Sequence, residues 1–321
     1  MNNAATSAPR ASLGVIGLGA MGYGAAVSAL RRGVPVWGLD TSAAARARLA
    51  AQGGRVAADL AELARHCQAV LLLVVNAAQT EGLLFGSAAA GDGSGQAGLI
   101  DLLAPGKVVM TAATVDPALP PQWAARLAER GLHLIDAPVS GGPVKAAEGQ
   151  MTVMASGTPA AFEAAGGLLD AVAGKVYRLG DVAGVGSTVK MVNQHLAGVH
   201  IASACEAMAL GMRAGADPAQ LYEVICNSAG MSWMFANRVP HILEGDYSPR
   251  SAVNIFVKDL GIVLDAARKL AFPLPLAAAA HQLYLASAAA GRGGEDDAAV
   301  IKFYADLAGI ALPQPAAPAP R

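Results

Sequence analysis

An α/β chain, with a doubly covered parallel sheet in its first half and helices alone in its second, is predicted by three observations. Short apolar runs bounded by turn residues recur through the first half, helical patterns separate them, and beyond Gly186 the strand pattern stops. A strand that is apolar at every position, rather than at alternate ones, is buried on both faces. That is the habit of parallel sheets packed between helices.

In order, the strand candidates are LGVIGLG (13–19), VPVWGLD (34–40), AVLLLVV (69–75), KVVMTAAT (107–114) and HLIDAPV (133–139). Helical stretches at 21–32, 42–52, 59–66 and 117–130 lie between or beside them. TVMASG (152–157) and KVYRLG (175–180) are expected to extend the same sheet. The Gly/Ser stretch at 86–98 reads as a flexible surface loop. The second half carries helical patterns at 187–214, 218–228, 250–271, 273–290 and 295–309. Asp217-Pro218 marks a helix start, an N-cap residue followed by proline at the first helical position. The expected organisation is a tail at 1–11, an α/β domain at 12–182, an all-helical domain at 183–310 and a proline-rich tail at 311–321.

Composition bounds the function. A length of 321 residues suits two domains, and 54% hydrophobic against 15% charged residues excludes a disordered chain. A formal charge of −1 gives no reason to expect nucleic acid or anionic lipid. Cys67, Cys205 and Cys226 are scattered, so neither a disulfide framework nor a metal motif is expected, and a reduced cytoplasmic setting is the default. Mean hydropathy is +0.41, which raises the question of a membrane span. Residues 11–30 carry no charge, but Gly14, Gly17, Gly19, Gly22 and Gly24 argue against a spanning helix, since each costs ~1 kcal/mol relative to alanine. The stretch 270–290 is broken by Pro273, Pro275, His281 and Gln282. No membrane partner is expected.

Those glycines are spaced for another purpose. Gly17-Leu18-Gly19-Ala20-Met21-Gly22 is G-x-G-x-x-G between a strand and a helix. The first glycine allows the tight turn, the second lets backbone approach a pyrophosphate, and the third lets helix pack on strand. The helix start then offers its unpaired N–H groups to the anion. Asp40 ends the next strand, 18 positions after Gly22, where a carboxylate reaches the ribose hydroxyls. It would repel a 2′-phosphate, and Thr41-Ser42 supplies no basic clamp, so NAD is expected over NADP. Arg46 and Arg48 could reach the adenosine end. The first domain is therefore predicted to be a Rossmann dinucleotide-binding domain.

Three further segments carry chemistry. Asp136-Ala-Pro-Val-Ser140-Gly141-Gly142 is either a structural turn or a carboxylate cradle made of a hydroxyl and two amides. Ser140 is not a hydrolase nucleophile, because the G-x-S-x-G elbow needs glycine where Pro138 stands. Lys190 follows the turn Gly184-Val-Gly186 on an otherwise apolar helix, as a snorkelling surface residue or a functional one. Lys258-Asp259 lies among apolar residues, as a solvated stripe or a buried functional pair. His195 and His200 are five apart, so they do not share a helical face for zinc, and no metal is expected. They read as polar groups satisfied near an interface.

Taken together, GLGAMG (17–22), DAPVSGG (136–142), GVGSTVKMVNQ (184–194) and KDL (258–260) resemble, in order and spacing, the landmarks of the β-hydroxyacid dehydrogenase family. That family includes 3-hydroxyisobutyrate, tartronate semialdehyde and 6-phosphogluconate enzymes, and the resemblance covers about residues 12–310. It implies that Lys190 is the catalytic general acid/base and that Ser140, Gly141 and Gly142 hold the substrate carboxylate. It also implies that Asn193 and Gln194 contact substrate, and that Val75, Asn76, Thr114 and Lys258 join residues 17–22, Asp40 and Thr41 around the cofactor. Gln194 departs from the family, which usually has a second asparagine there. Within the family the segment KMVNQHLAGVHIA is most similar to the branch that oxidises L-threonate at C2. Tartronate semialdehyde reduction and 3-hydroxyisobutyrate oxidation are the alternatives within the family, and a non-catalytic NAD-binding protein is the alternative outside it. An imine reductase of related fold would be expected to lack Lys190. The apolar helices of the second half imply a homodimer or homotetramer.

Overall fold

The computed structural model describes residues 11–87 and 96–315. The tails expected at 1–11 and 311–321, and the loop expected at 86–98, lie largely outside the described residues. Two compact units divide between Lys190 and Met191.

The first unit is built on six parallel strands: β1 (Leu13–Ile16), β2 (Val36–Leu39), β3 (Arg55–Val56), β4 (Ala69–Leu72), β5 (Val108–Thr111) and β6 (His133–Asp136). Their order is β3-β2-β1-β4-β5-β6, the doubly wound arrangement whose reversal point lies between β1 and β4. Period-two side chains from these strands feed two separate cores. Leu13, Val15, Leu71 and Met110 pack into one, and Ile16, Val70, Leu72 and Val109 into the other. That is why the sequence runs are apolar at every position. The carboxyl ends are in register, with Ile16 opposite both Leu39 and Leu72, Leu72 opposite Thr111, and Thr111 opposite Asp136.

One expectation is corrected here. TVMASG and KVYRLG do not extend the main sheet. They form β8 (Thr152–Ala155) and β9 (Lys175–Arg178) of a separate three-stranded sheet with β7 (Val139–Ser140). The buried segment Ala137-Pro138 turns the chain out of β6, and β7 pairs antiparallel with β8. A backbone bridge between Asp136 and Ser156 joins the two sheets.

The helix Ala20–Arg31 lies directly on the short helix Gly142–Ala147. A Cβ added at Gly24 would stand 2.4 Å from the Ala146 carbonyl carbon, so the two backbones touch with no side chain between them. Arg31 Nη1 donates to the Ala147 carbonyl at 2.9 Å, and Ser28 Oγ donates to the Ala171 carbonyl at 3.0 Å.

Among the described residues of the second unit every regular element is helical, as expected. Asp217 caps the helix Pro218–Cys226 by accepting from Gln220 N at 2.9 Å. The helix Trp233–Glu244, not expected from the sequence, contains Pro240 and is capped by Ser232. It supplies Arg238 and His241 to two adjacent, wholly buried aspartates. Arg238 grips Asp297 with two nitrogens, Nε–Oδ1 at 2.5 Å and Nη2–Oδ2 at 3.1 Å. His241 Nδ1 lies 2.8 Å from Asp296 Oδ1, whose partner oxygen accepts from Arg250 N at 3.0 Å. Burial pushes the Asp297 carboxyl up to about 6, against the pull of Arg238. Burial would raise Asp296 as well, but the His241 and backbone hydrogen bonds outweigh it and hold that carboxyl below its ordinary range. No helix among the described residues is long and apolar enough to cross a membrane.

Candidate active site

The phosphate-binding turn forms as its glycines predict, and each has a separate reason. Gly17 has φ +87°, and a Cβ there would meet the Leu73 carbonyl at 2.5 Å. A Cβ at Gly22 would stand 1.7 Å from the Gly17 carbonyl oxygen, so the turn closes only without one. Gly19 differs: a Cβ there meets no atom within 4 Å. The fold does not need glycine at that position, so the empty volume is room for a ligand at a helix start that has no side-chain cap. Gly19→Ala is therefore expected to leave the melting temperature unchanged while weakening dinucleotide binding by at least ~10-fold, and Gly22→Ala to lower both. Equal stability losses in the two variants, read by thermal melts beside cofactor titration, would contradict this division.

Leu18 braces the turn from within. Its side chain is wholly buried, and its N–H donates to Asp40 Oδ2 at 2.6 Å, so it holds the acidic residue in place. Ser42 N donates to the other oxygen at 2.7 Å. A carboxylate has about four lone-pair sites, so both oxygens keep capacity for ribose hydroxyls. Arg46 Nη1 donates to the carbonyl of Thr41 at 3.1 Å and to that of Asp40. Arg48 donates to the Leu18 carbonyl and lies over the Tyr23 ring, 4.6 Å from its centroid. Both guanidiniums thus brace the turn. Gly19, Ala20 and Thr41 are exposed and Met21 is half-buried.

The other expected cofactor contacts of this unit follow the carboxyl ends of neighbouring strands. Val75 is exposed, with its N–H donated to Gln79 Oε1 at 2.8 Å. Asn76 caps the helix Ala77–Phe85 by accepting from Gln79 N at 2.9 Å. Thr114 is half-buried beyond β5. Residues 17–22, Asp40, Val75, Asn76 and Thr114 therefore line one edge of one sheet, around its reversal point. The donors, the acidic residue and the room at Gly19 fit a dinucleotide.

Ser140 is half-buried in β7 opposite Thr152. Gly141 (φ +130°) and Gly142 (φ +73°) then turn the chain into the helix Gly142–Ala147, conformations that L side chains rarely adopt. Lys190 is 8% exposed and is the only buried lysine among the described residues, which sets aside the snorkelling alternative. It lies on the helix Val185–Arg213 with Asn193 and Gln194, three and four positions on, which is one helical turn.

Sequence reasoning missed what holds the start of that helix. The wholly buried Asp136 carboxylate accepts from Gly184 N at 3.0 Å, Ser187 N at 2.7 Å and Ser187 Oγ at 2.7 Å. Burial raises its pKa and these hydrogen bonds pull it back. The signal was the aspartate opening DAPVSGG, a charge inside an apolar run.

In the second unit, Lys258 and Asp259 form an ion pair, half-buried at the lysine and buried at the aspartate, rather than a solvated stripe. Asp259 is 1% exposed, its Oδ1 takes Lys258 Nζ at 2.5 Å, and its Oδ2 accepts from Gln194 Nε2 at 2.5 Å. Gln194 Oε1 in turn accepts from Asn193 Nδ2 at 3.0 Å. The extra methylene of Gln194 thus carries its amide to a carboxylate that fixes which end donates. His195 Nδ1 is buried with no hydrogen-bond partner among the described residues. No cluster of metal-ligating side chains is found among the described residues.

Two family models match the chain. Residues 12–180 match the NAD-binding domain of 6-phosphogluconate dehydrogenase, and residues 184–304 match the model described as NAD-binding of NADP-dependent 3-hydroxyisobutyrate dehydrogenase. L-threonate dehydrogenase from Cupriavidus necator is 56% identical over 94% of this chain and 98% of its own. L-threonate dehydrogenase from Escherichia coli K12 is 50% identical over 94% and 96%. A crystal structure described as 3-hydroxyisobutyrate dehydrogenase from Salmonella typhimurium is 50% identical, covering 91% of this chain and 99% of that one, with a TM-score of 0.84. The phosphate-binding turn at the sheet's reversal point, the helical second unit and these likenesses lead to one conclusion: the chain belongs to the β-hydroxyacid dehydrogenase family, oxidoreductases that use a nicotinamide dinucleotide.

Proposed function

We propose that this enzyme oxidises L-threonate at C2 to 2-dehydro-L-erythronate with NAD, in four-carbon sugar-acid catabolism. The observation that carries the reading is the buried Lys190, one helical turn from Asn193 and Gln194. The relatives named L-threonate dehydrogenase, at 50–56% identity, support the substrate.

A dinucleotide held by residues 17–22, Asp40, Thr41, Val75, Asn76 and Thr114 would supply the hydride acceptor for oxidation at C2. The chain supplies the rest. Lys190 takes the hydroxyl proton during oxidation and returns it during reduction, which requires it to be neutral in the first case and charged in the second. Ser140 and the Gly141 and Gly142 amides hold the carboxylate, fixing which carbon is presented. Asn193 and Gln194 contact the remaining hydroxyls, with Gln194 oriented by Asp259, and the family resemblance assigns Lys258 to the cofactor and substrate. Residues 12–182 bind the cofactor, and 183–310 complete the substrate site and the subunit contact.

NAD is the preferred cofactor in this reading, because Asp40 leaves acceptor capacity for hydroxyls and none for a phosphate. Asp40→Ala is expected to weaken NAD binding more than NADP binding, as read by nucleotide titration; equal losses would remove Asp40 from the ribose. Exposed Val185, Val189, Val192 and Leu196 recur on one stripe of their helix, which supports a homodimer or homotetramer, checked by light scattering. Three free cysteines suit the cytoplasm.

The test is NADH formation at 340 nm with L- and D-threonate, D- and L-erythronate, D-glycerate and 3-hydroxyisobutyrate, each with NAD and NADP. Selective turnover of L-threonate is expected. Preference for 3-hydroxyisobutyrate, the activity given for the Salmonella typhimurium structure, would overturn the substrate and keep the chemistry.

A further inference from the structure

We infer that Asp136 is a positioning residue: it ties the opening turn of the Lys190 helix to the strand end from which the Ser140–Gly142 cradle departs, setting base and cradle in one frame. The inference rests on the reading of Lys190 as the general acid/base.

The helix Val185–Arg213 has no local cap. Gly184, the residue before it, has no side chain and sits at φ +102°. Its first N–H groups are instead collected from another part of the chain. Asp136 Oδ2 takes Gly184 N and Ser187 N, and Ser156 Oγ takes Gly186 N at 2.9 Å. Ser187 adds its hydroxyl to Asp136 Oδ1. Asp136 and Ser156 are themselves locked by reciprocal backbone hydrogen bonds of 2.9 and 2.8 Å. A Cβ at Gly186 would stand 2.2 Å from the Met154 carbonyl oxygen, so the helix starts in backbone contact with β8.

A cap needs only a hydroxyl or amide from the preceding residue. Here a wholly buried carboxylate does that work across 48 residues of sequence. A buried charge is costly unless fully paired, so its use points to a demand beyond ending a helix. The geometry shows that demand. Lys190 stands three positions beyond Ser187, on the same helical face, and Ser140 stands four residues beyond Asp136 through the buried segment Ala137-Pro138-Val139. Asp136 is the joint between them. Misplacing a reacting group by about 1 Å can cost ~10²-fold in rate, so slack at this joint acts on turnover.

The test compares Asp136→Ala and Asp136→Asn in the full-length enzyme, alone and with Lys190→Ala. Asp136→Ala is expected to lower kcat by ~10²-fold with substrate KM and NADH affinity within about threefold of wild type. Asparagine keeps one oxygen for the two backbone N–H groups and can donate to Ser187 Oγ, so Asp136→Asn should recover kcat to within about tenfold of wild type. Added to Lys190→Ala, Asp136→Ala should cost nothing more in residual turnover, since groups acting as a unit are not additive. Equal losses in kcat, KM and NADH affinity, no advantage of asparagine over alanine, or a further loss in the Lys190→Ala background would each overturn the positioning role. If Asp136→Ala does not fold, Ser187→Ala removes one donor and keeps the carboxylate. It should lower kcat severalfold with KM unchanged, and unchanged kcat there overturns the role. If Lys190→Ala retains turnover, the reading of Lys190 falls and takes the inference with it. If Lys190→Ala is inactive while Asp136→Ala is normal, only the positioning role falls.

Discussion

Lys190→Ala is expected to lower kcat by at least ~10²-fold while NAD still binds, the scale for removal of a general acid/base. The cofactor turn explains the second half of that expectation, because it is held by the Leu18–Asp40 hydrogen bond and by close packing of Gly17 and Gly22 against each other and against Leu73, just beyond β4. Arginine at 190 separates the two roles a lysine can play. It keeps the positive charge but does not release its proton in a protein, so it should be as inactive in oxidation as alanine. In the wild type the oxidation rate should rise toward alkaline pH, because the neutral amine is the base. A profile flat from pH 6 to 10 with chemistry rate-limiting, or near-normal turnover of either variant beside impaired NAD binding, would remove Lys190 from the reaction.

Asp297→Ala is expected to cost the helical unit about 3–5 kcal/mol, because it leaves the Arg238 guanidinium largely buried and unpaired. The melting transition of that unit should fall by on the order of 10 °C. The same group gives stability a pH dependence with an unusual sign. Its folded pKa, about 6, lies above the ~3.9 of an unfolded aspartate, so the native state binds the proton more tightly. The contribution is complete below about pH 4 and is lost as pH rises through about 6. Asparagine cannot take up that proton, so the stability gap between wild type and Asp297→Asn should widen from pH 7 to pH 5. A gap that narrows on acidification would show that Arg238 governs the carboxyl more than burial does.

The parts of this protein that local chemistry specifies could be read from its sequence. GLGAMG and Asp40 announce themselves because three glycines and one acid form a single spaced pattern within about twenty residues of one another. The main strands are legible because burial on both faces makes them apolar throughout. What long-range pairing decides was not legible. TVMASG has the pattern of a main-sheet strand, and only its partner Val139–Ser140 places it elsewhere. β3 is two residues long and carries an exposed arginine, so it has no pattern to read. Pro240 masks the helix Trp233–Glu244. The helical pattern expected at 295–309 opens on EDDAAV with nothing in it to bury a charge, yet Asp296 and Asp297 are wholly buried because His241 and Arg238 reach them from 55 and 59 residues away. The pair at Lys258-Asp259 remained open in the sequence for the same reason, since its third member, Gln194, lies 65 residues from Asp259.

The bare contact at Gly24 has a thermodynamic consequence. The helix that begins at the phosphate turn presses backbone against the helix that begins at the Gly141–Gly142 turn, with no flexible side chain between them to absorb displacement. If the Gly141–Gly142 turn holds the substrate carboxylate as proposed, ordering of either turn by its ligand is expected to be felt by the other. Linkage makes any such coupling reciprocal: the factor by which the dinucleotide sharpens affinity for the hydroxy acid is the factor by which the acid sharpens affinity for the dinucleotide. A methyl group at position 24 would force these helices apart, and its signature would be a weakening of that mutual factor.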